Sequence, residues 1–208
     1  MNTTAHHNSE YHDQNTSLVA PVMVVKAVVL GKDTNVSGTR CHPLVRHTAV
    51  QFDALHELVE ELGDQDYGSA LPVLGKASLG MHLRHIMEFY ITLMDAHGDV
   101  VDYDARPRDK ALETDRHAAL QKLAQLRDWL DHLHTDRPMT LLADHSLDGN
   151  TQERMATSLF RELAYGFDHG IHHMALLRIG VEQHFPHIML DADFGVAPST
   201  IRSRQCVR

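Results

Sequence analysis

The chain reads as an all-α protein: an antiparallel four-helix bundle with long connections and a poorly structured N-terminal arm. Three observations predict this. Apolar residues recur at three- and four-residue steps in four long runs between Pro43 and about Gly180. The runs are bounded by residues that start and stop helices. No stretch alternates with period two for long enough to suggest a sheet, although residues 139–142 could form a short extended piece.

Residues 1–42 make up the expected arm. Positions 1–16 are polar, with His6, His7 and His12 scattered in no metal motif, and read as disordered. The apolar run 18–30 (LVAPVMVVKAVVL) is too short for a bilayer and contains Pro21 and Lys26. Its acidic flank, with Glu10 and Asp13, is not that of a signal peptide. It reads as a short strand or as an appendage outside the main domain.

The bundle is expected over residues 43–182. Pro43 suits a first helical position, and Leu44, Thr48, Phe52, Leu55, Val59 and Leu62 form a stripe that Gly63 ends. A second helix should start at Ser78 and run to about His97, with Gly98 beyond it. Thr114 is a plausible cap for a third, carrying Ala119, Leu123, Leu126, Leu130 and Leu133. The fourth should run from Thr151 to about Gly180. Residues 63–77 and 98–113 exceed ordinary bundle connections, so they should wrap over an end and could build a site. The tail, 183–208, should pack Phe194 on the bundle.

Lys and Arg number 19 against 28 Asp and Glu, a formal charge of -9, which excludes a general nucleic-acid binder. The apolar fraction of 43% suits a soluble globular chain that buries its own core. Cys41 and Cys206 stand near opposite ends with no CxxC, so a reducing cytoplasm fits better than a disulfide framework.

The unusual count is 18 histidines. At that frequency about 1.5 i,i+4 histidine pairs arise by chance. The chain has one, His169 with His173. Spacing alone therefore decides nothing, and the face must. At 100° per residue the pair shares a stripe with Leu159, Glu162, Tyr165, Gly166, Leu176, Leu177 and Gly180, which should face the bundle interior. There an unpaired imidazole is costly, so the two are either a bonded polar pair or two ligands of a metal. On the second helix His85 shares a mostly apolar face with Met81, Phe89, Thr92 and Ala96, while His82 lies further round. If the second and fourth helices pack together, His85 meets the pair.

The segment SLGMHLRHIMEF at 78–89, followed far downstream by DHGIHH at 168–173, resembles the DinB/YfiT-like superfamily of small four-helix metalloproteins. The resemblance spans roughly residues 44–180. It implies one divalent ion held by His85, His169 and His173, with His172 outside the ligand set. Many members follow the last ligand with arginine; this chain has Met174.

Three neutral nitrogen ligands with a vacancy allow zinc to lower the pKa of bound water to about 7, or to stabilise a thiolate. Zinc and nickel are the favoured ions, with iron and manganese also compatible with imidazole. Glu162 could be a fourth ligand, a general base or a partner that orients an imidazole, or else a buried carboxylate satisfied by an arginine or the backbone. Glu88 is expected to act only behind the ligands, and Asp168 on the helix flank. The charged loop at 102–109, with Tyr103 its one aromatic, reads as a solvated connector or as a lid over the open position.

The function expected is thiol transfer to, or hydrolysis of, a small molecule, with a low-molecular-weight thiol as possible co-substrate. The alternatives are a metal-binding or stress-response bundle without turnover, and a structural bundle whose histidines only bond one another. Neither nucleic acid nor membrane is expected as partner, and a homodimer is plausible.

Overall fold

The computed structural model describes residues 23–25 and 42–206. Apart from three residues and His42, the arm expected at 1–42 lies outside the described residues, as does Cys41. Strand β1 (Met23–Val25) falls within the apolar run 18–30 and pairs in parallel with a strand near the C-terminal end.

Helix α1 (Pro43–Glu61) starts where Pro43 places it and buries Val45, Thr48, Phe52, Leu55, Leu58 and Val59. The short helix α2 (Asp64–Gly68) and a 3-10 turn at Pro72–Leu74 lead to α3 (Leu79–Met94). Ser78 caps α3, its Oγ accepting the N–H of Met81 at 3.0 Å. The chain then forms β2 (Val100–Asp102), α4 (Lys110–Thr114) and α5 (Arg116–Asp131). The cap of α5 is Asp115, one residue beyond the expected Thr114: its carboxylate accepts from the N–H groups of His117 and Ala118. There follow β3 (Pro138–Asp144), β4 (Gln152–Ser158), α6 (Leu159–His184), β5 (Ile188–Leu190) and α7 (Pro198–Cys206).

The four long helices α1, α5, α3 and α6 pack in a ring, each against the next, around one apolar core. The all-α expectation is overturned, because β2, β3 and β4 form a mixed three-stranded sheet, parallel between β2 and β3 and antiparallel between β3 and β4. Residues 151–158, expected as the first turns of the last helix, are extended instead. The true cap of α6 is Ser158, whose Oγ accepts the N–H of Arg161.

Register explains why this sheet escapes a periodicity search. Met139 pairs with Thr157 and Leu141 with Met155, so one face carries four inward-leaning side chains in all. The other positions of β4 are mostly exposed polar residues. Two apolar side chains on one strand and one on the next are too few to stand out as alternation.

Two glycines bring the elements that carry the site close together. A Cβ on Gly80 would lie 2.1 Å from the carbonyl oxygen of Glu113, so only glycine lets α4 close onto α3 there. A Cβ on Gly170 would lie 2.7–2.9 Å from the side-chain amide of Gln51, where α1 meets α6. In the tail, Phe194 is buried and its carbonyl accepts from the Arg178 guanidinium.

Candidate metal centre

Helix α3 turns its strongly apolar face, with Leu79, Leu83, Ile86, Met87 and Tyr90, into the core. His82, His85 and Phe89 occupy the adjoining face at i, i+3 and i+7. Helix α6 buries Leu159, Glu162, Leu163, Gly166, Gly170, Met174 and Leu177, with His169 and His173 one turn apart beside that stripe. Because α3 packs on α6, the two histidine faces meet.

His85, His169 and His173 form a cluster that can hold a metal ion: one ring nitrogen from each lies within 4.8 Å of the others. The ring centroids are 4.6–4.9 Å apart, and the Nε2 atoms of His85 and His169 approach to 2.9 Å. Imidazole nitrogens about 2.0–2.1 Å from a tetrahedral zinc lie roughly 3.3 Å from one another, so the trio fits such an ion with small side-chain adjustments. All three rings are only partly exposed.

Burial is the main force holding these rings neutral. It pushes His85 down to about 4, helped by His169, Arg106 and Arg84, and His173 down to about 3, helped by His85 and His169. His169 is lowered by burial, then by His172 and Arg106. Neutral rings are the form that ligates metal. His172 is exposed on the flank of α6, as is Asp168.

An aromatic wall closes one side. The Phe89 ring lies 5.2 Å from His85 and 4.4 Å from His169, and Tyr165 stacks on His169 at 5.9 Å. Tyr103 leans on Phe89 at 4.9 Å, and the Arg106 guanidinium sits 5.0 Å from the same ring. Within the 102–109 loop, Tyr103 and Arg106 thus pack against the site, while Asp104, Ala105, Pro107, Arg108 and Asp109 are exposed, as a solvated connector would have them.

Two buried carboxylates hold this loop. Glu162, 1% exposed, accepts from the Tyr103 hydroxyl at 3.0 Å, from the Thr157 hydroxyl at 2.5 Å and from Arg161 at 3.0 Å. Its hydrogen bonds thus go to a tyrosine, a threonine and an arginine, and it is not among the clustered ligands. Burial and the Glu162 charge raise the Tyr103 hydroxyl far above its ordinary range, which keeps it a proton donor. Glu88, also 1% exposed, accepts the N–H of Asp109 at 2.8 Å and lies 3.9 Å from Arg84 and Arg106.

Sequence reasoning placed His85, His169, His173 and Phe89 on the correct faces and underrated Tyr103, Arg106 and His82. The signal for Tyr103 and Arg106 was the lone aromatic and the basic residues in an overlong connection. His82, the weaker candidate because it lies further round its helix, brings its Nδ1 to 3.0 Å from Nδ1 of His173. Met174 is buried and lines a cavity of about 220 Å³ with His47, Phe167, Ile171 and Phe194, to which His85, His169 and His173 do not contribute.

Among the described residues no helix is long and apolar enough to cross a membrane. No family model matches the chain, and no solved structure matches it. Over 107 residues, 50% of its length, the chain is 31% identical to a protein from Rhizopus delemar named FK506-binding protein 5, and it spans 27% of that protein's length.

Proposed function

We propose that the chain is a metal-dependent enzyme of the DinB/YfiT-like kind, acting on a small molecule by thiol transfer or hydrolysis. His85, His169 and His173 would hold one divalent ion, zinc or nickel before iron or manganese. The observation that carries this reading is the convergence of three imidazoles from two helices on one point, beside an aromatic wall. An ion held by three neutral nitrogens keeps its charge uncompensated and acidifies water or a thiol that shares it.

The other residues shape the space around the ligands. Phe89, itself buried, backs the ligands, and the more open rings of Tyr103 and Tyr165 packed on it offer flat surface to a substrate. Glu162 serves as a positioning residue: by accepting the Tyr103 hydroxyl it fixes that ring against Phe89. Glu88 does the same for the far end of the loop through Asp109. Arg106 adds a cation within electrostatic reach of His85 and His169, which favours substrates carrying negative charge.

The test uses protein purified without a nickel column, assayed with glutathione plus electrophiles and with chromogenic esters. Turnover is expected in the metal-loaded protein, lost on chelation and restored on adding the ion back. Turnover that survives metal removal contradicts the proposal. Tight metal binding without turnover on any substrate would favour a metal-holding protein that is not an enzyme.

A further inference from the structure

We infer that His82 is a positioning residue for the metal centre: it accepts the Nδ1–H of His173 and so commits Nε2 of that ring to the ion. The inference deepens the proposed function and rests on it. The two Nδ1 atoms are 3.0 Å apart, a hydrogen-bond distance, and two neutral imidazoles share such a contact only if one ring donates and the other accepts. A neutral imidazole has a single N–H. If His173 places it on Nδ1, its lone pair lies on Nε2, on the opposite edge of the ring.

Ligating histidines generally pass their second ring N–H to a carboxylate or a backbone carbonyl, which sets the tautomer and the ring's orientation. The two buried carboxylates near this site are committed elsewhere, Glu88 to Asp109 and Glu162 to Tyr103, Thr157 and Arg161. His82 fills the role with an imidazole. It stands three residues before His85 on α3, so one helix supplies both a ligand and the group that orients a ligand on the facing helix. It is not in the trio whose nitrogens converge, and its ring centroid lies 5.3 Å from that of His173.

Zinc affinity of the full-length protein, measured by competition with a chromogenic chelator, tests this with H82N, H82Q, H82A and H85A. Asparagine puts an oxygen acceptor where Nδ1 of His82 stood; glutamine carries its amide one bond further out. H82A and H82Q are expected to bind zinc about 10–100-fold more weakly, and H82N to recover most of the loss. The absorption spectrum of cobalt-loaded H82N should match that of the wild type, because the ligands are unchanged. Wild-type affinity in H82A, with loss in H85A, overturns the inference. So does equal loss in H82A and H82N with an altered cobalt spectrum, which would make His82 a ligand. A wild-type protein that binds no zinc overturns the metal reading beneath it. If H82A does not fold, the comparison of H82N with H82Q decides.

Discussion

Helix α6 faces two polar regions of opposite character. Toward α1 and the core, Gln51 accepts the Tyr90 hydroxyl at 2.6 Å and donates to the carbonyl of Phe167 at 3.1 Å. Gln51 and Tyr90 are both buried, and the bonds join unlike partners, a donor to an acceptor each time. Toward α3, imidazoles meet imidazoles, Nε2 against Nε2 and Nδ1 against Nδ1. The first region is a closed network in which each of these side-chain atoms has a protein partner. The second keeps lone pairs that the fold does not satisfy, the condition for binding something else.

This contrast sets the expected cost of disturbing each side. The largest effect should come from Gly170→Ala, whose methyl drives into the Gln51 amide. A loss of about 2 kcal/mol is expected from overpacking in a site that cannot relax, even after helix propensity returns some of it. Chemical denaturation of metal-free protein checks this, and an unchanged midpoint would mean that Gln51 is free to move.

Tyr90→Phe comes next. It leaves Oε1 of Gln51 buried without its donor and should lower stability by about 1 kcal/mol in the same measurement. Zinc affinity should not change, because Tyr90 belongs to the closed network. A large fall in zinc affinity would join the two regions and break the comparison.

The imidazole side should also show in the pH dependence of stability. His85 and His173 titrate at about 4 and about 3 in the fold, but near 6.5 once unfolded. Between those limits the unfolded chain binds more protons. Stability of the metal-free protein should therefore be full above about 6.5 and decline as pH falls, through about 4 for His85 and about 3 for His173. His173→Leu should flatten part of that decline, although it also removes the His173–His82 bond at neutral pH. Melting curves from pH 7.5 to 4.5 test it, and parallel profiles for the two proteins would contradict it.

The bundle helices were legible because their signals are local. Pro43 opens α1, Ser78 caps α3, and the apolar stripes repeat for four or more turns. The three imidazoles could be placed because a helical face follows from spacing alone. The sheet could not, because it is three strands of at most seven residues with one lightly loaded inner face. Thr151 is the expected helix start, but residues 152–158 beyond it pair with β3. One partner of Glu162 lies in a loop 59 positions away, and Tyr103 reaches it only after β2 joins the sheet. The contact of His82 with His173 likewise depends on how α3 rolls against α6, which a helical wheel does not fix.

The central claim is that His85, His169 and His173 hold one divalent ion. Anomalous diffraction at the zinc absorption edge, from crystals of full-length protein supplied with one equivalent of zinc, tests it most directly. The account predicts a single peak bound by those three side chains and by no other histidine. A peak elsewhere, or none while the three rings still bond one another, would contradict it.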